Sequence, residues 1–338
     1  MKPLALGVVG PGLIWDNAHR DILLSMPEHF AITAFCARSE STLAKAHRQQ
    51  PTATLFQDYQ ELLEDERLDG VVLLTPIPLN APMTIRALEA GKAVFVEKPF
   101  ATSLAEGRDV IEASRRAALP VYVLEQAPYA TIWDSINDVI HSGRIGMPAT
   151  YEKLRHVYLD AGNDQTSGYG TTDWRITTRF PIGNLFDGGV HDLAVHAKLF
   201  GSPERLRSWG RRFRPEYGEY DVVSTLFRYP DGLIGYFSHS ALLGGRRNFF
   251  TIRGTEGLIH ATDEITTLES KWGTHEAIAD GGLTPHQEMW RVLAETARTG
   301  GSAPYSLADA GRELALLESI AKSLHDAVEV HVGSGDDT

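Results

Sequence analysis

The chain has 338 residues, of which 43% are hydrophobic and 22% charged, a composition typical of folded domains and sufficient for two of them. A formal net charge of −12 argues against nucleic acid or an anionic membrane surface as a partner, because both require basic patches. The single cysteine, Cys36, excludes an intrachain disulfide framework and any cysteine-rich metal site, and its apolar surroundings predict a buried thiol.

The first third alternates apolar runs with helical patterns, which is typical of a parallel sheet buried on both faces. The predicted strands are LALGVVG, AITAFCA, GVVLLTP, AVFVEKP and PVYVLEQ. The predicted helices cover residues 14–25, 41–49, 81–90 and 103–118. We therefore expect a Rossmann-type, doubly wound α/β domain over residues 1–125.

The pattern changes after this domain. A predicted helix over 132–141 is followed by longer strands in which apolar and polar residues alternate, typical of an antiparallel sheet with one solvated face. Helical stretches at 188–200, 287–299 and 307–325 should cover the other face. Residues 126–330 should form an α/β domain with a large, mainly antiparallel open sheet, and 331–338 a disordered tail.

The targeting and membrane signals are weak throughout. The N-terminal MKPLALGVVGPG lacks the length of a signal-peptide core, and no window reaches the ~18 consecutive apolar residues of a membrane span. We expect a cytoplasmic protein without a membrane partner.

The first strand ends in GVVGPG, which has the spacing of a dinucleotide-binding turn. Gly10 permits the tight turn, Gly12 lets backbone approach a pyrophosphate, and Leu13 and Ile14 open the helix whose N-terminus favours the anion. Trp15 stands at the third position of the fingerprint, where Gly or Ala is usual.

The end of the second strand bears on the choice of cofactor. Ala37 stands where an NAD enzyme has a carboxylate for the ribose, and Arg38 and Ser39 follow. A guanidinium and a hydroxyl suit a 2′-phosphate, which favours NADP(H) over NAD(H). The alternative is that Arg38 only stacks on adenine and the site accepts either cofactor.

The chain resembles the glucose–fructose oxidoreductase/inositol dehydrogenase (Gfo/Idh/MocA) family along nearly its whole length. The segments that carry the resemblance are the glycine turn, DYQELLEDERLDGVVLLTP, ALEAGKAVFVEKPFATSLAEG, SGRIGMP, DWR, DGGVHDL and RGTEGLI. The resemblance implies hydride transfer between a nicotinamide and a carbon of a sugar, an inositol-like polyol or a related cyclic alcohol, at a site between two domains. It also implies a homo-oligomer, dimer or tetramer, formed through the C-terminal sheet.

The same resemblance assigns the catalytic residues. Lys98, followed by a Pro99 whose peptide bond is commonly cis in the family, would stabilise negative charge on the substrate oxygen. Asp187 and His191, four apart on a predicted helix, would share a face. His191 would act as acid/base near neutral pH, and Asp187 would orient it or accept a second proton.

Other residues receive weaker assignments. Cofactor contacts are expected from Thr75, Pro76, Asn80, Glu97, Lys98, Gln126, Trp174 and Arg175. Substrate contacts are expected from Tyr129 and Asn184 besides the catalytic residues, with Tyr169 and His286 as further candidates. Asn80 replaces a histidine usual in the family, and an asparagine there can still hydrogen-bond the cofactor ribose. Asp192 is interpreted as a structural or substrate-rim carboxylate and His196 as structural.

No metal site is expected, because the histidines lack metal-binding spacing and this hydride transfer needs none. The alternative function is a dinucleotide-binding sensor without turnover. A further alternative is an oxidoreductase that keeps its cofactor between two substrates.

Overall fold

The computed structural model describes residues 2–157, 172, 182–214, 218–243, 247–273 and 275–333. The chain forms two compact units, one from Met1–Tyr129 with Thr284–Leu314 and the other from Ala130–Leu283 with Ala315–Asp337. The first unit thus takes a segment from late in the chain, which differs from the single boundary after residue 125 expected from the sequence.

The first unit contains a six-stranded parallel sheet in the order β3-β2-β1-β4-β5-β6. The strands are β1 (Leu4–Val9), β2 (Phe30–Cys36), β3 (Thr54–Phe56), β4 (Gly70–Leu73), β5 (Ala93–Glu97) and β6 (Val121–Leu124). Nearly every residue of the central strands is buried, as the uniformly apolar runs predict. The Rossmann-type fold is confirmed, and Cys36 is buried as expected.

Helices connect these strands, and polar residues start several of them. They are α1 (Arg20–Leu24), α2 (Glu40–Gln49), α3 (Tyr59–Leu63), α4 (Ile77–Glu89) and α5 (Leu104–Ala117). The side chains of Ser39, Asp58 and Ser103 accept hydrogen bonds from backbone N–H groups in the first turns of α2, α3 and α5. Helix α4 begins four residues before the predicted start at residue 81, because Pro78 is tolerated in a first turn.

The second unit contains a nine-stranded sheet in the order β14-β13-β12-β11-β7-β10-β9-β8-β15. The strands are β7 (Pro148–His156), β8 (Arg205–Arg211), β9 (Val222–Arg228), β10 (Ile234–Ser240), β11 (Arg247–Gly254), β12 (Gly257–Thr262), β13 (Thr266–Ser270), β14 (His275–Ala277) and β15 (Val330–His331). Every pairing is antiparallel except β7 with β10, so the predicted mainly antiparallel sheet is confirmed. His331 pairs with Arg205, so it does not belong to a disordered tail; residues 334–338 lie outside the described residues.

The remaining helices are α6 (Thr131–His141), α7 (Val190–Phe200), α8 (Pro285–Thr299) and α9 (Leu307–Asp326). Trp290 of α8 is fully buried against Phe30 and Phe95, with ring centroids 5.5 and 5.4 Å away. The prediction that this helix covers the antiparallel sheet is therefore wrong, because its apolar face packs on the Rossmann sheet. The second half of α9 does cover the larger sheet, where Ser323 accepts a hydrogen bond from the Ser208 backbone N–H.

Candidate active site

The glycine turn lies at the carboxyl end of β1, where the strand order reverses between β1 and β4. Gly10 has φ +74°, and a Cβ there would lie 2.8 Å from the Leu74 carbonyl oxygen. Gly12 donates its N–H to the Gly10 carbonyl at 2.7 Å and is exposed, as is Leu13, while Ile14 is half-buried. A switch point with an exposed glycine turn is the usual place for a dinucleotide in this fold.

Trp15 replaces the small third residue of the fingerprint without loss of packing. The residues Trp15–His19 form a π-helical turn, and the Trp15 ring is fully buried edge-on to Phe35 at 5.6 Å. Its indole N–H donates to Gln49 Oε1 at 2.9 Å.

The residues after β2, on which the predicted NADP(H) preference depends, lie at the start of α2. Arg38 is exposed, and Ser39 is committed to the N-cap of α2, where its hydroxyl also lies 2.8 Å from the Ser41 hydroxyl. The nearby carboxylate of Asp16 lies 2.5 Å from Lys45 and 3.2 Å from Arg20. Burial opposes ionisation of Asp16, but the hydrogen bonds from Lys45 and Gln49 and the positive charges hold its pKa below the usual range.

Asn80 braces the loop that carries Lys98. Its Nδ2 donates to the carbonyl oxygens of Glu97 and Pro99, both at 2.9 Å, and its Oδ1 accepts from the Thr75 hydroxyl at 2.9 Å. Both amide hydrogens are therefore used, and the side chain is fully buried. The Asn80 side chain is thus bound within the protein on these three contacts, and its contact with the cofactor ribose stays a prediction.

Lys98 follows β5 directly and is half-buried, and the Lys98–Pro99 peptide is cis, as the resemblance implies. Next to it, the Glu97 carboxylate accepts the Lys98 backbone N–H at 3.1 Å and lies 2.8 Å from His19 Nε2. On the far side of the imidazole, Trp290 Nε1 donates to His19 Nδ1 at 3.0 Å.

The indole fixes the tautomer of His19. Because an indole N–H only donates, Nδ1 of His19 carries no proton, and Nε2–H donates to Glu97. Burial opposes ionisation of Glu97, but the hydrogen bond from His19 and the charge of Lys98 outweigh it and lower the pKa of Glu97. A carboxylate thus lies directly before the site lysine.

Asp187 lies in a π-helical turn, Leu185–Gly189, that runs directly into α7, where His191 is the second residue. Asp187 is buried and His191 is half-buried. The predicted helix therefore begins with a wider turn than expected, and the two residues lie four apart on one continuous helical segment.

His239 packs under this π-helical turn. Its Nε2 lies 3.1 Å from Asn184 Oδ1, and a Cβ on Gly189 would approach His239 Nδ1 to 3.2 Å and Leu185 Cγ to 2.9 Å. Burial and the charge of Arg155 lower the pKa of His239 to about 3, so it is neutral and Nε2–H donates to Asn184. Asn184, predicted as a substrate contact, is thus anchored at the start of the turn.

Asp192 and His196 have structural environments, as interpreted from the sequence. The buried Asp192 carboxylate lies 3.1 Å from Lys153 Nζ and 3.5 Å from Arg155 Nε. Burial opposes its ionisation, but these two cations lower its pKa. His196 is buried among aromatic rings, including those of Phe237 and Phe250, each 5.3 Å away.

Some of the other predicted contact residues lie within the residues that the structure describes, and some lie outside them. Thr75, Pro76 and Gln126 lie at carboxyl ends of β4 and β6, and Tyr129 is buried in the first unit. The His286 ring lies 5.7 Å from that of His19. Tyr169, Trp174 and Arg175 lie outside the described residues.

Two buried acids near Lys98, Glu125 and Glu313, were missed by the sequence analysis. Glu313 interrupts the apolar stripe of Ala310, Leu314 and Leu317 on α9, and a charged residue on such a stripe is a signal that the sequence does contain. Among the described residues, no group of three or more His, Cys, Asp or Glu side chains is arranged to hold a metal ion. In the same part of the chain, no helix has the length and apolar character to span a membrane.

Family models match both parts of the chain. Residues 4–125 match the oxidoreductase family with an NAD-binding Rossmann fold, and residues 133–260 match the GFO/IDH/MocA C-terminal domain. The chain belongs to the Gfo/Idh/MocA oxidoreductase family. It is accordingly a dinucleotide-binding enzyme.

Individual relatives agree with this membership. The trans-1,2-dihydrobenzene-1,2-diol dehydrogenase of Mus musculus is 27% identical over 282 residues, 82% of this chain and 78% of that protein. An oxidoreductase of Thermotoga maritima has the same fold, with a TM-score of 0.89, 27% identity and coverage of 98% of this chain and 99% of the other. A levoglucosan dehydrogenase in complex with NADH and levoglucosan shares the fold, with a TM-score of 0.87, 19% identity and coverage of 98% and 100%.

Proposed function

We propose that this Gfo/Idh/MocA oxidoreductase transfers a hydride between a nicotinamide cofactor and a hydroxyl-bearing carbon of a sugar, an inositol-like polyol or a related cyclic alcohol, with Lys98, Asp187 and His191 as catalytic residues. The observation that carries the proposal is the bracing of Lys98. Asn80 holds the carbonyl groups on both sides of it, and Glu97 receives its backbone N–H. Such a frame fixes the direction of a side chain that must meet a reacting oxygen.

The backbone of the first unit is suited to bind a dinucleotide. The Gly10 position rejects any Cβ, and the exposed Gly12 leaves the start of the following helical segment open to a pyrophosphate. The nicotinamide, when bound there, supplies a hydride acceptor or donor. The relative from mouse is named for a dehydrogenase of a cyclic diol, which supports a ring-borne hydroxyl as the substrate group.

In the oxidation direction the substrate loses a hydride from carbon and a proton from oxygen. His191 takes the proton, and Asp187 orients His191 or accepts the proton in turn. The Lys98 ammonium stabilises the negative charge that develops on the oxygen. Reduction of the carbonyl reverses each of these roles.

Substitution of Lys98 and His191 tests the assignment. With NADP(H) or NAD(H) and a panel of sugars, inositols and cyclic trans-diols, we expect Lys98→Ala and His191→Ala each to lower kcat/KM by about 100-fold or more. His191→Ala should retain cofactor binding. Lys322→Ala and His141→Ala, both on exposed helix ends, are the controls. Unchanged turnover in either site variant would show that the proposed mechanism is wrong.

The preference for NADP(H) is the finer part of this proposal. It is supported by Arg38, which is exposed at the end of β2, and by Ala37 in place of an acid. Titration of tryptophan fluorescence should show tighter binding of NADPH than of NADH, and Arg38→Ala should remove the difference. Equal affinities in the unmodified protein would instead assign Arg38 to adenine stacking.

A further inference from the structure

A buried chain of three side chains ends at the main chain of Lys98. The Glu97 carboxylate accepts the Lys98 backbone N–H on Oε2 at 3.1 Å, and its Oε1 lies 2.8 Å from His19 Nε2. Trp290 Nε1 donates to His19 Nδ1 at 3.0 Å, and both of these rings are fully buried. Each oxygen of Glu97 therefore accepts one N–H hydrogen, an arrangement that favours the ionised carboxyl group.

This chain can hold Glu97 but cannot lead a proton away from it. A relay through an imidazole takes up a proton on one ring nitrogen and releases one from the other to an acceptor. The group beyond His19 is the Trp290 indole, which only donates. The His19 Nε2–H is thus a fixed donor to Glu97.

The place of His19 in the fold links two parts of the first unit. His19 is the last residue of the π-helical turn Trp15–His19, which follows the glycine turn. Glu97 is the last residue of β5, and Lys98 comes next. The hydrogen bond between His19 and Glu97 therefore joins the helical segment after the glycine turn to the loop of the site lysine, across 78 positions of sequence.

We propose that His19 is a positioning residue for Lys98: its Nε2–H holds the Glu97 carboxylate, and Glu97 holds the Lys98 main chain. The effect of His19 on turnover rests on the proposed function, whereas its effect on Glu97 does not.

The electrostatics of Glu97 agree with this role. Burial opposes its ionisation, and the hydrogen bond from His19 is the largest of the effects that lower its pKa. The side chains of Lys98 and His286 act in the same direction as His19. Without the donor, Glu97 should take up a proton at higher pH and then hold the Lys98 N–H less firmly.

A pair of variants isolates the Nε2–H donor. His19→Gln places an amide N–H where the imidazole donates, whereas the similarly sized His19→Met places no donor there. Both variants leave the Trp290 indole without its acceptor, so a difference between them comes from the hydrogen bond to Glu97. Circular dichroism and the urea midpoint establish that each variant is folded.

The first measurement is a pH titration of the carboxyl groups by infrared spectroscopy, without substrate. Glu97 is identified by the carboxyl band that disappears when Glu97→Gln is added to each variant. We expect Glu97 to be half-protonated at a pH higher by about one unit or more in His19→Met than in His19→Gln. The same value in the two variants would overturn the proposal.

The second measurement is the dependence of kcat on pH. Below the pH at which Glu97 is half-protonated, His19→Met should have a kcat about tenfold lower than His19→Gln, because a displaced lysine costs rate. Equal profiles in the two variants would show that His19 does not position Lys98. Failure of the proposed function would appear separately, as turnover that survives Lys98→Ala while the two Glu97 titrations still differ.

A third measurement needs no change at His19 and so does not depend on the folding of its variants. In protein labelled with ¹⁵N-histidine, the Nε2–H resonance of His19 is assigned through its proximity to the Trp290 ring. It should move upfield in Glu97→Gln, because an amide oxygen accepts less strongly than a carboxylate. An unmoved resonance would also overturn the proposal.

Discussion

At the level of single residues, the hydrogen bond from the Trp290 indole fixes the tautomer of His19 and should contribute to stability. Trp290→Phe keeps a ring against Phe30 and Phe95 but leaves the buried Nδ1 of His19 without its donor. A buried acceptor left unpaired costs about 1–3 kcal/mol, so the free energy of unfolding in urea should fall by that amount.

Trp272→Phe is the matched control, because that indole is 83% exposed. Equal stability of the two variants would show that the bond between Trp290 and His19 contributes nothing.

Lys98 could be identified from its local motif, whereas His19 and Trp290, which hold the Glu97 carboxylate beside it, could not. His19 and Glu97 are 78 positions apart, and Trp290 is 271 positions from His19. A histidine, a glutamate and a tryptophan so distributed give no pattern in a single sequence. Asn80 shows the converse, because its neighbours suggested a ligand contact while both of its amide hydrogens are used inside the protein.

At the level of elements, the π-helical turn before α7 requires a residue without a side chain. Gly189→Ala would place a Cβ 2.9 Å from Leu185 and 3.2 Å from His239, so the turn that carries Asp187 must shift. We expect a loss of about 1–3 kcal/mol in the free energy of unfolding. Turnover of any accepted substrate should fall as well.

Gly301→Ala is a suitable control for that substitution. A Cβ there would meet only the Thr299 hydroxyl at 3.4 Å, so stability should stay unchanged or rise slightly. A Gly189→Ala variant as stable and active as this control would contradict a required close approach.

The two helical segments with π-helical turns also mark where prediction from sequence fails at this level. The spacing of apolar residues predicts helices over 14–25 and 188–200, and helical segments are present at both places. It does not reveal the wider turns at Trp15–His19 and Leu185–Gly189, because these depend on packing against Phe35 in one case and His239 in the other. The prediction for helix α8 fails for a related reason. The sequence shows which face of the helix is apolar, but it does not show which sheet that face covers.

At the level of the whole molecule, the second unit should be sensitive to mild acid. Burial is the main cause that lowers the pKa of His196 and of His239 from 6.5 to about 3. The unfolded chain takes up these protons near pH 6.5, whereas the folded protein takes them up only near pH 3. The free energy of unfolding is therefore highest above pH 6.5 and decreases as the pH falls towards 3. Each histidine should lower the free energy of unfolding by about 1.4 kcal/mol for every pH unit in this range.

His196→Phe tests this dependence within an aromatic cluster that should accept another ring. The free energy of unfolding in urea should be measured between pH 7 and 5. Its dependence on pH should be weaker in this variant, because about one proton fewer is taken up on unfolding. An unchanged slope in His196→Phe would show that His196 is already protonated in the folded protein.

The open face of the nine-stranded sheet bears on the predicted homo-oligomer. Trp209 is paired with Ser224, and Ile234 with Arg228, so these strand positions and Leu226 lie on one face. Their exposed fractions are 53%, 51% and 41% for Trp209, Ile234 and Leu226, whereas the intervening Val223 and Phe227 are buried on the opposite face. Large apolar side chains clustered on an exposed face favour association with another protein surface.

We expect a second copy of this chain on that face, since homo-oligomers most often form closed symmetric pairs through one shared surface. Leu226→Glu combined with Ile234→Glu should therefore lower the mass measured by light scattering after gel filtration to that of a single chain. Met147→Glu, at a side chain that is 74% exposed in the loop before β7, should leave the mass unchanged. A single-chain mass for the unmodified protein at micromolar concentration would contradict the prediction, and the apolar face would then need a different partner.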